Sequence, residues 1–111
     1  MSPVDVVQAQ LDAYNAQDLQ RFCACYAPDA VLADLHGPAA QSGIAGVRER
    51  YAKLFTEHPE NHAELLSRVC VGQVVVDEER ISRGNDAAPF RALAIYTVRN
   101  GLIARVDFVR E

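Results

Sequence analysis

Residues 94–110, AIYTVRNGLIARVDFVR, decide the fold of this 111-residue chain. Asn100-Gly101 separates two runs of alternating side chains, which is a strong local signal for a β-hairpin. A two-residue turn would pair Ala94 with Asp107, whereas a bulged three-residue loop would pair Ala94 with Val106. We expect the bulged register because it gathers a wholly apolar set on one face. This set is Phe90, Ala92, Ala94, Tyr96, Val98, Leu102, Ala104, Val106 and Phe108.

A second hairpin is predicted just before the first. Residues 63–71 and 74–81 flank Gly72-Gln73, which suits a tight turn. This register sets Arg68 opposite Asp77 and, on the same strands, Leu66 opposite Glu79. Arg68 then has two interpretations: a surface ion pair worth well under about 1 kcal/mol, or an anion-binding group in a cavity.

The first half of the chain carries helical periodicity. Ser2 and Pro3 form a helix start, and Asp18 can cap a second, short helix. A third helix ends before Pro59. The apolar stripe of the first helix is Val4, Val7, Leu11 and Tyr14, and that of the third is Ile44, Val47, Tyr51, Leu54 and Phe55.

One strand is expected among these helices, at residues 31–35, and residues 36–43 (HGPAAQSG) are typical of a loop. The predicted order is helix, helix, strand, helix, then four strands. A chain in which helices come first and an antiparallel sheet follows has the pattern of an α+β fold. We expect one domain, residues 1–111, with a curved sheet packed by helices.

Composition and charge argue against several classes of function. The net charge is −4 and no basic stripe is present, so nucleic-acid binding is not expected. No basic leader or long apolar run appears, and we expect a cytoplasmic protein that does not enter membranes. The three cysteines favour neither a disulfide nor a metal site. Pro59 interrupts the spacing of His58 and His62, and no phosphate-binding loop is present, so we expect no metal and no cofactor.

The chain resembles the nuclear transport factor two-like superfamily, which includes ketosteroid isomerase and the SnoaL-like polyketide cyclases. The resemblance is carried by LDAYNAQDLQRFCACYAPDAVLADLHG, GIAGVRERYAKLF and AIYTVRNGLIARVDFVR, and it runs from about residue 4 to the end. It implies a cone, a cystatin-like roll, in which a curved mixed or antiparallel sheet wraps around three helices. It also implies an apolar pocket at the wide end and a homodimer.

The resemblance further implies a site. In ketosteroid isomerase an aspartate is the base, while a tyrosine and a protonated aspartic acid form the oxyanion hole. The resemblance assigns the base to Asp34, the oxyanion donor to Tyr14 and an orienting role to Tyr26. The second acid falls at Ala94, and no acid lies within residues 90–98. Loss of such a donor can cost ~10²-fold or more in rate, which puts efficient ketosteroid isomerisation in doubt.

The residues themselves leave alternatives open. Strand alternation alone permits Asp34 to face solvent or a pocket, and with the resemblance we expect the pocket. Tyr14 suits either core packing or the site, and His36 either an exposed loop or a bond to Asp34 or a ligand. The expected ligand-binding residues are His36, Leu54, Phe55, Arg68, Ala94, Tyr96, Val106 and Phe108.

The predicted function is binding of a small apolar carbonyl compound, with proton transfer of the isomerase or lyase type. The alternative is a non-catalytic domain for ligand binding or dimerisation.

Overall fold

The helices begin where the sequence predicts. A computed structural model describes residues 1–84 and 86–111, with helices α1 (Pro3–Ala16), α2 (Leu19–Ala24) and α3 (Ile44–Glu57). Ser2 Oγ accepts from the Asp5 backbone N–H at 3.1 Å, and the Asp5 carboxylate accepts from the Ser2 backbone nitrogen at 3.4 Å. This capping box satisfies two of the donors that a helix start leaves open. No helix in the described ranges is long and apolar enough to cross a bilayer.

Six strands form one mixed sheet beside these helices. The strands are β1 (Tyr26–Asp34), β2 (Ala39–Ser42), β3 (His62–Val71), β4 (Val74–Ser82), β5 (Phe90–Arg99) and β6 (Leu102–Arg110). Their order is β2-β1-β6-β5-β4-β3, and β1 pairs with β6 in parallel while the other neighbours are antiparallel. The expected α+β fold, a curved sheet with three helices packed on it, is confirmed.

Two predictions around β1 are wrong. The strand begins at Tyr26 rather than at residue 31, and Pro28 is accommodated because the β1–β6 register shifts between Tyr26 and Val31. The predicted loop at 36–43 contains the short edge strand β2. Its composition is weakly β-forming, so its strand conformation comes from pairing with β1 rather than from its own propensity.

The β3–β4 hairpin has one irregularity that sequence could not predict. Arg68 lies opposite Asp77 as expected, but a register shift between Leu65 and Ser67 places Leu65, not Leu66, opposite Glu79. Leu66 is therefore the extra residue of a bulge, and its side chain is exposed.

The β5–β6 hairpin adopts neither of the two expected registers. Arg99 pairs with Leu102 across a two-residue turn, and β6 then carries its extra residue at Ala104. Ala94 consequently pairs with Phe108 instead of Val106. The observed pairing differs from the expected bulged pairing by two residues, and an even shift keeps every side chain on its predicted face. The apolar face therefore forms as expected beyond the bulge.

In β6, before the bulge at Ala104, the two predicted faces are exchanged. Ile103 is fully buried and Leu102 only partly so, although the sequence pattern assigned Leu102 to the apolar face. Asp107 faces away from the core, where Arg105 Nε donates to both of its carboxylate oxygens at 3.1 Å.

Aromatic rings join the helices to the sheet. Phe22 of α2 is fully buried, and its ring lies 4.4 Å from Tyr51 and 5.0 Å from Tyr26, measured between centroids. Tyr14 and Phe55 surround the same ring at 6.1 Å and 6.0 Å. These tilted and edge contacts add to the burial of apolar area, so Phe22 fixes the distance between α1, α3 and the sheet.

We predict that Phe22→Ala lowers the free energy of unfolding by about 3 to 5 kcal/mol, because it opens a cavity in a fully buried cluster. Urea denaturation measures this change. Gln20→Ala, at an exposed position of the same helix, is the control and should change stability by less than about 0.5 kcal/mol. Equal effects of the two substitutions would contradict the central position of Phe22.

Candidate functional site

Two alanines of β5 leave a hollow in the inner face of the sheet. Ala92 pairs with Glu79 of β4 and with Arg110 of β6, and Ala94 pairs with Asp77 and with Phe108. Long side chains on both flanking strands thus border two methyl groups. The hollow exists because neither alanine reaches as far from the sheet as its neighbours do.

A cavity of about 270 Å³ lies between this hollow and the helices α1 and α3. That volume is just below the ~300–1,000 Å³ range of ligand pockets. Four of the predicted pocket residues line it: Tyr14, Leu54, Tyr96 and Phe108. The lining also includes Gln10, Arg50, Tyr51, Glu79, Arg83 and Arg110, none of which was predicted.

Glu79 is the carboxyl on the cavity wall with the most unusual environment. It is 7% exposed. Burial, and after it the negative charge of nearby Asp77, raises the pKa of Glu79 from 4.5 to about 7, while Arg68 acts in the opposite direction. Near neutral pH the group is therefore divided between its acid and its base form.

Arg68 is committed to the other buried acid. Its Nε and Nη2 donate to the two carboxylate oxygens of Asp77 at 2.7 and 2.9 Å, and its Nη1 donates to Gln8 Oε1 at 2.7 Å. Asp77 is fully buried, so this bidentate pair is not the surface pair considered above. Arg68 does not line the cavity.

A chain of hydrogen bonds sets the orientation of a cavity hydroxyl. Tyr26 O–H donates to Gln10 Oε1 at 3.2 Å, and Gln10 Nε2 donates to the Tyr96 oxygen at 3.3 Å. Because Tyr96 accepts here, its own proton is free to point into the cavity. Burial raises the pKa of Tyr96 well above 10, and nearby Glu79 adds to the effect, so the phenol stays protonated.

Asp34 lies outside this cavity. Register pairs Leu32 with Val106 and Asp34 with Phe108, so Asp34 shares the inner face of the sheet. Its side chain is nevertheless exposed, at the last residue of β1. A shallower depression joins it to Phe108 and Arg110.

The other predicted site residues are scattered. His36 is exposed in a turn with φ 65°, beyond the end of β1. Phe55, Ala94 and Val106 are buried in the core and do not line the cavity. Tyr26 is also buried, does not line the cavity, and is linked to it by its hydrogen bond to Gln10. The structure therefore brings Tyr14 and Tyr96 together with Glu79, and not with Asp34.

Glu79 could have been found in the sequence from the phase of its strand. In VVVDEERIS, Val75 and Ile81 are in step with Asp77 and Glu79, so the two acids share the side of the apolar residues. Gln10 carries a similar signal, since it lies beside Val7, Leu11 and Tyr14 on one helical face.

Comparisons with known proteins identify the fold and the family. An uncharacterized cystatin-fold protein from Novosphingobium aromaticivorans is 33% identical and superposes with a TM-score of 0.93 over 99% of each chain. A Sinorhizobium meliloti protein assigned as a polyketide cyclase is 23% identical, with a TM-score of 0.83 over 95% of this chain and 94% of that one. A Kribbella flavida protein assigned as a ketosteroid isomerase is 16% identical, with a TM-score of 0.82 over 96% of this chain and 76% of that one.

At these identities the last two likenesses concern the fold alone. No curated protein sequence matches the chain. The fold is that of the nuclear transport factor two-like proteins, as the sequence resemblance implied. A sequence model of the SnoaL-like domain matches residues 7–106, and the chain belongs to that family.

The raised pKa of Glu79 predicts a dependence of stability on pH. Because the folded protein holds this proton more tightly than the unfolded chain, stability is full below pH 4.5 and falls as the pH rises through about 7. Glu79→Gln removes the ionisation. We expect this variant to gain about 2 to 3 kcal/mol over wild type on going from about pH 5 to about pH 8, measured by urea unfolding.

The exposed neighbour on the same strand supplies a control. Arg80→Gln should leave the pH dependence of wild type unchanged, since Arg80 is exposed and pairs only with exposed Glu64 in the described chain. A Glu79→Gln variant with the pH dependence of wild type would contradict the assigned pKa.

Proposed function

We propose that the cavity binds a small apolar carbonyl compound and that Glu79 moves a proton on it. The observation that carries this proposal is a nearly buried carboxyl, on the wall of a cavity, whose pKa is raised to about 7. A group with that pKa serves as base and as acid at neutral pH. Perturbed carboxyls of this kind are enriched at functional sites.

In the proposed reaction, the Glu79 carboxylate takes a proton from the carbon next to the carbonyl. The electrons of the broken C–H bond move to the carbonyl oxygen, which becomes an enolate oxyanion. Tyr96 O–H donates a hydrogen bond to that oxygen. Gln10 Nε2 orients the phenol by donating to its oxygen, and Tyr26 O–H in turn donates to Gln10 Oε1. Where the compound has a β,γ C=C bond, the anion is a dienolate, and Glu79 returns the proton to the γ-carbon while the double bond moves to the α,β position. The net reaction is an isomerisation that needs no co-reactant.

This scheme differs from the one expected from family resemblance in its base and in its donor. Glu79 on β4 takes the role expected of Asp34, and Tyr96 takes the role expected of Tyr14. The acid missing at Ala94 has no direct replacement, because Asp77, which pairs with Ala94, accepts from Arg68 through both of its carboxylate oxygens. The role of Asp34 stays a prediction, and the experiment below tests it against Glu79.

The names of the structural relatives agree with this class of chemistry. Polyketide cyclisation and ketosteroid isomerisation both begin with proton removal beside a carbonyl, and the Sinorhizobium and Kribbella proteins are assigned to these two activities. The likeness is one of fold, so it supports the reaction class by analogy only.

The test uses the unconjugated, β,γ-unsaturated isomer of cyclohexenone as substrate. Formation of the conjugated enone is followed by its ultraviolet absorbance. We expect wild type to accelerate the reaction and kcat/KM to rise with pH to a plateau above about 7, because the base must be ionised. Glu79→Gln should lower kcat/KM by ~10²–10⁴-fold, and Tyr96→Phe by ~10²-fold.

Asp34→Asn is the matched variant at the other candidate carboxylate. It should retain the rate of wild type, since the Asp34 side chain does not line the cavity. A large loss in Asp34→Asn with activity kept in Glu79→Gln would return the base to Asp34. Saturable binding of the ketone with no rate above buffer would favour the non-catalytic alternative.

We also propose that the chain forms a homodimer through the outer face of its sheet. Val69, Val71 and Val74 are exposed there, and Val109 is 37% exposed on β6. Exposed apolar side chains on one face are typical of an interaction surface. A cytoplasmic location and the lack of nucleic-acid binding stay predictions.

Sedimentation velocity measures the state of association directly. We expect a dimer at micromolar concentration, and Val69→Glu combined with Val71→Glu should produce monomers because it adds charge to that surface. A monomeric wild-type protein would contradict the proposed dimer.

A further inference from the structure

The charge of the cavity is opposite to that of the chain. The chain carries a net charge of −4, yet the cavity lining holds the cations Arg50, Lys53, Arg83 and Arg110 against only two acids, Glu57 and Glu79. A cleft that is positive within an acidic protein attracts anions selectively.

Arg83 is the cation that other groups hold in place. Its Nη1 donates to Asn61 Oδ1 at 2.7 Å and to the Tyr14 oxygen at 3.4 Å. Its guanidinium carbon lies 5.3 Å from the centre of the Phe90 ring. These contacts come from α1, from β5 and from the segment before β3, so the half-buried guanidinium is kept at the cavity wall.

Arg83 has no counter-ion among the described residues. Within residues 1–84 and 86–111, no carboxylate lies within ion-pair distance of Arg83, and Asn85 carries no carboxylate. By contrast, five arginines that do not line the cavity each hold an acid: Arg68, Arg80, Arg91, Arg99 and Arg105. A partly buried charge costs free energy unless it is paired, which a bound anion would achieve.

Polar atoms around Arg83 are also unsatisfied. Asn61 is 3% exposed, and its Nδ2 has no hydrogen-bond partner in the described part of the chain. The same holds for Nδ1 of His58, whose side chain lines the cavity. Tyr14 accepts from Arg83, so its O–H proton is available to a ligand. Buried polar groups are almost always paired in proteins, and of these residues His58 and Tyr14 line the cavity, where a polar ligand would pair them.

We propose that the ligand of this cavity has an apolar body with one carboxylate, and that this carboxylate binds Arg83 and the Tyr14 O–H. Arginine suits this role because its planar N–H groups match a carboxylate. The middle of the ligand lies against Leu11 and Ile81, which are apolar and line the cavity between the two ends. Its carbonyl end lies near Glu79.

The spacing of Glu79 and Arg83 along the chain sets the length of such a ligand. Residues 79, 81 and 83 all line the cavity, and Arg83 is the first residue after β4, so an extended chain would place its Cα atom roughly 13 Å from that of Glu79. Both side chains shorten this span, which leaves room for one aromatic ring between a carboxylate and a ketone. The position of the ketone rests on the proposed function, whereas binding of the carboxylate does not.

The test compares two probes of the same shape, para-acetylbenzoate and the neutral para-acetylbenzamide. Calorimetric titration gives the affinity of each. We expect wild type to bind the carboxylate roughly 10- to 100-fold more tightly, the range for hydrogen bonds to charged groups. Equal affinities in wild type would overturn the proposal without any substitution.

Three variants locate the effect. Arg83→Gln should abolish the preference for the carboxylate, and Arg83→Lys should keep part of it because the charge remains while the planar donors are lost. Arg80→Gln, at an exposed position on the same strand, is the matched control and should keep it in full. A preference that survives in both Arg83 variants would also overturn the proposal.

One further variant separates this inference from the proposed function. Exchange of the acetyl methyl protons with D₂O, followed by NMR, reports on the base. Glu79→Gln should abolish catalysed exchange while retaining the preference for para-acetylbenzoate. Absence of exchange in wild type would count against the proposed function alone, and absence of the preference against the carboxylate site alone.

Discussion

Two carboxyls are buried on the same face of β4, and in the described part of the chain one guanidinium, that of Arg68, binds one of them. Arg68 donates to Asp77 through two short hydrogen bonds and forms no ion pair with Glu79. An uncompensated carboxyl in a poorly solvated site holds its proton to a higher pH, which is why the pKa of Glu79 rises to about 7. The chemistry proposed for the cavity depends on this imbalance of charge.

The same imbalance of charge lowers the stability of the folded protein. A fully paired or apolar residue at position 79 would stabilise the protein at neutral pH. Natural proteins accept such losses of stability where a group is needed for function. The neighbouring Arg68–Asp77 ion pair does not remove this loss of stability, because the charge of Arg68 is already compensated by Asp77.

The sequence patterns predicted the type of each element and the sheet face of each side chain better than the register in which the strands pair. The 2-residue alternation of β5 and β6 assigned Ala94, Tyr96, Val106 and Phe108 to one face, and a register off by two residues does not alter that assignment. Bulges at Leu66 and Ala104 were not predictable, since they depend on how neighbouring strands curve.

The site was harder to predict than the fold. Tyr14, Leu54, Tyr96 and Phe108 were expected in the pocket and line the cavity, because each belongs to an apolar stripe with a clear period. Glu79 was not predicted, because the resemblance assigns the acids of the site to β1 and β5. Which side of β4 faces inward becomes evident only when its acids are read in phase with Val75 and Ile81.

The hollow at Ala92 and Ala94 also limits how this scaffold can change. Alanine has the smallest side chain that a strand tolerates without loss, because glycine weakens a strand. Substitution of Ala92, the one of the two that lines the cavity, can therefore shrink the binding space and can hardly enlarge it. A homologue adapted to a bulkier compound would have to gain its room from the helical side, at Leu54 or Tyr51, where shorter side chains are still available.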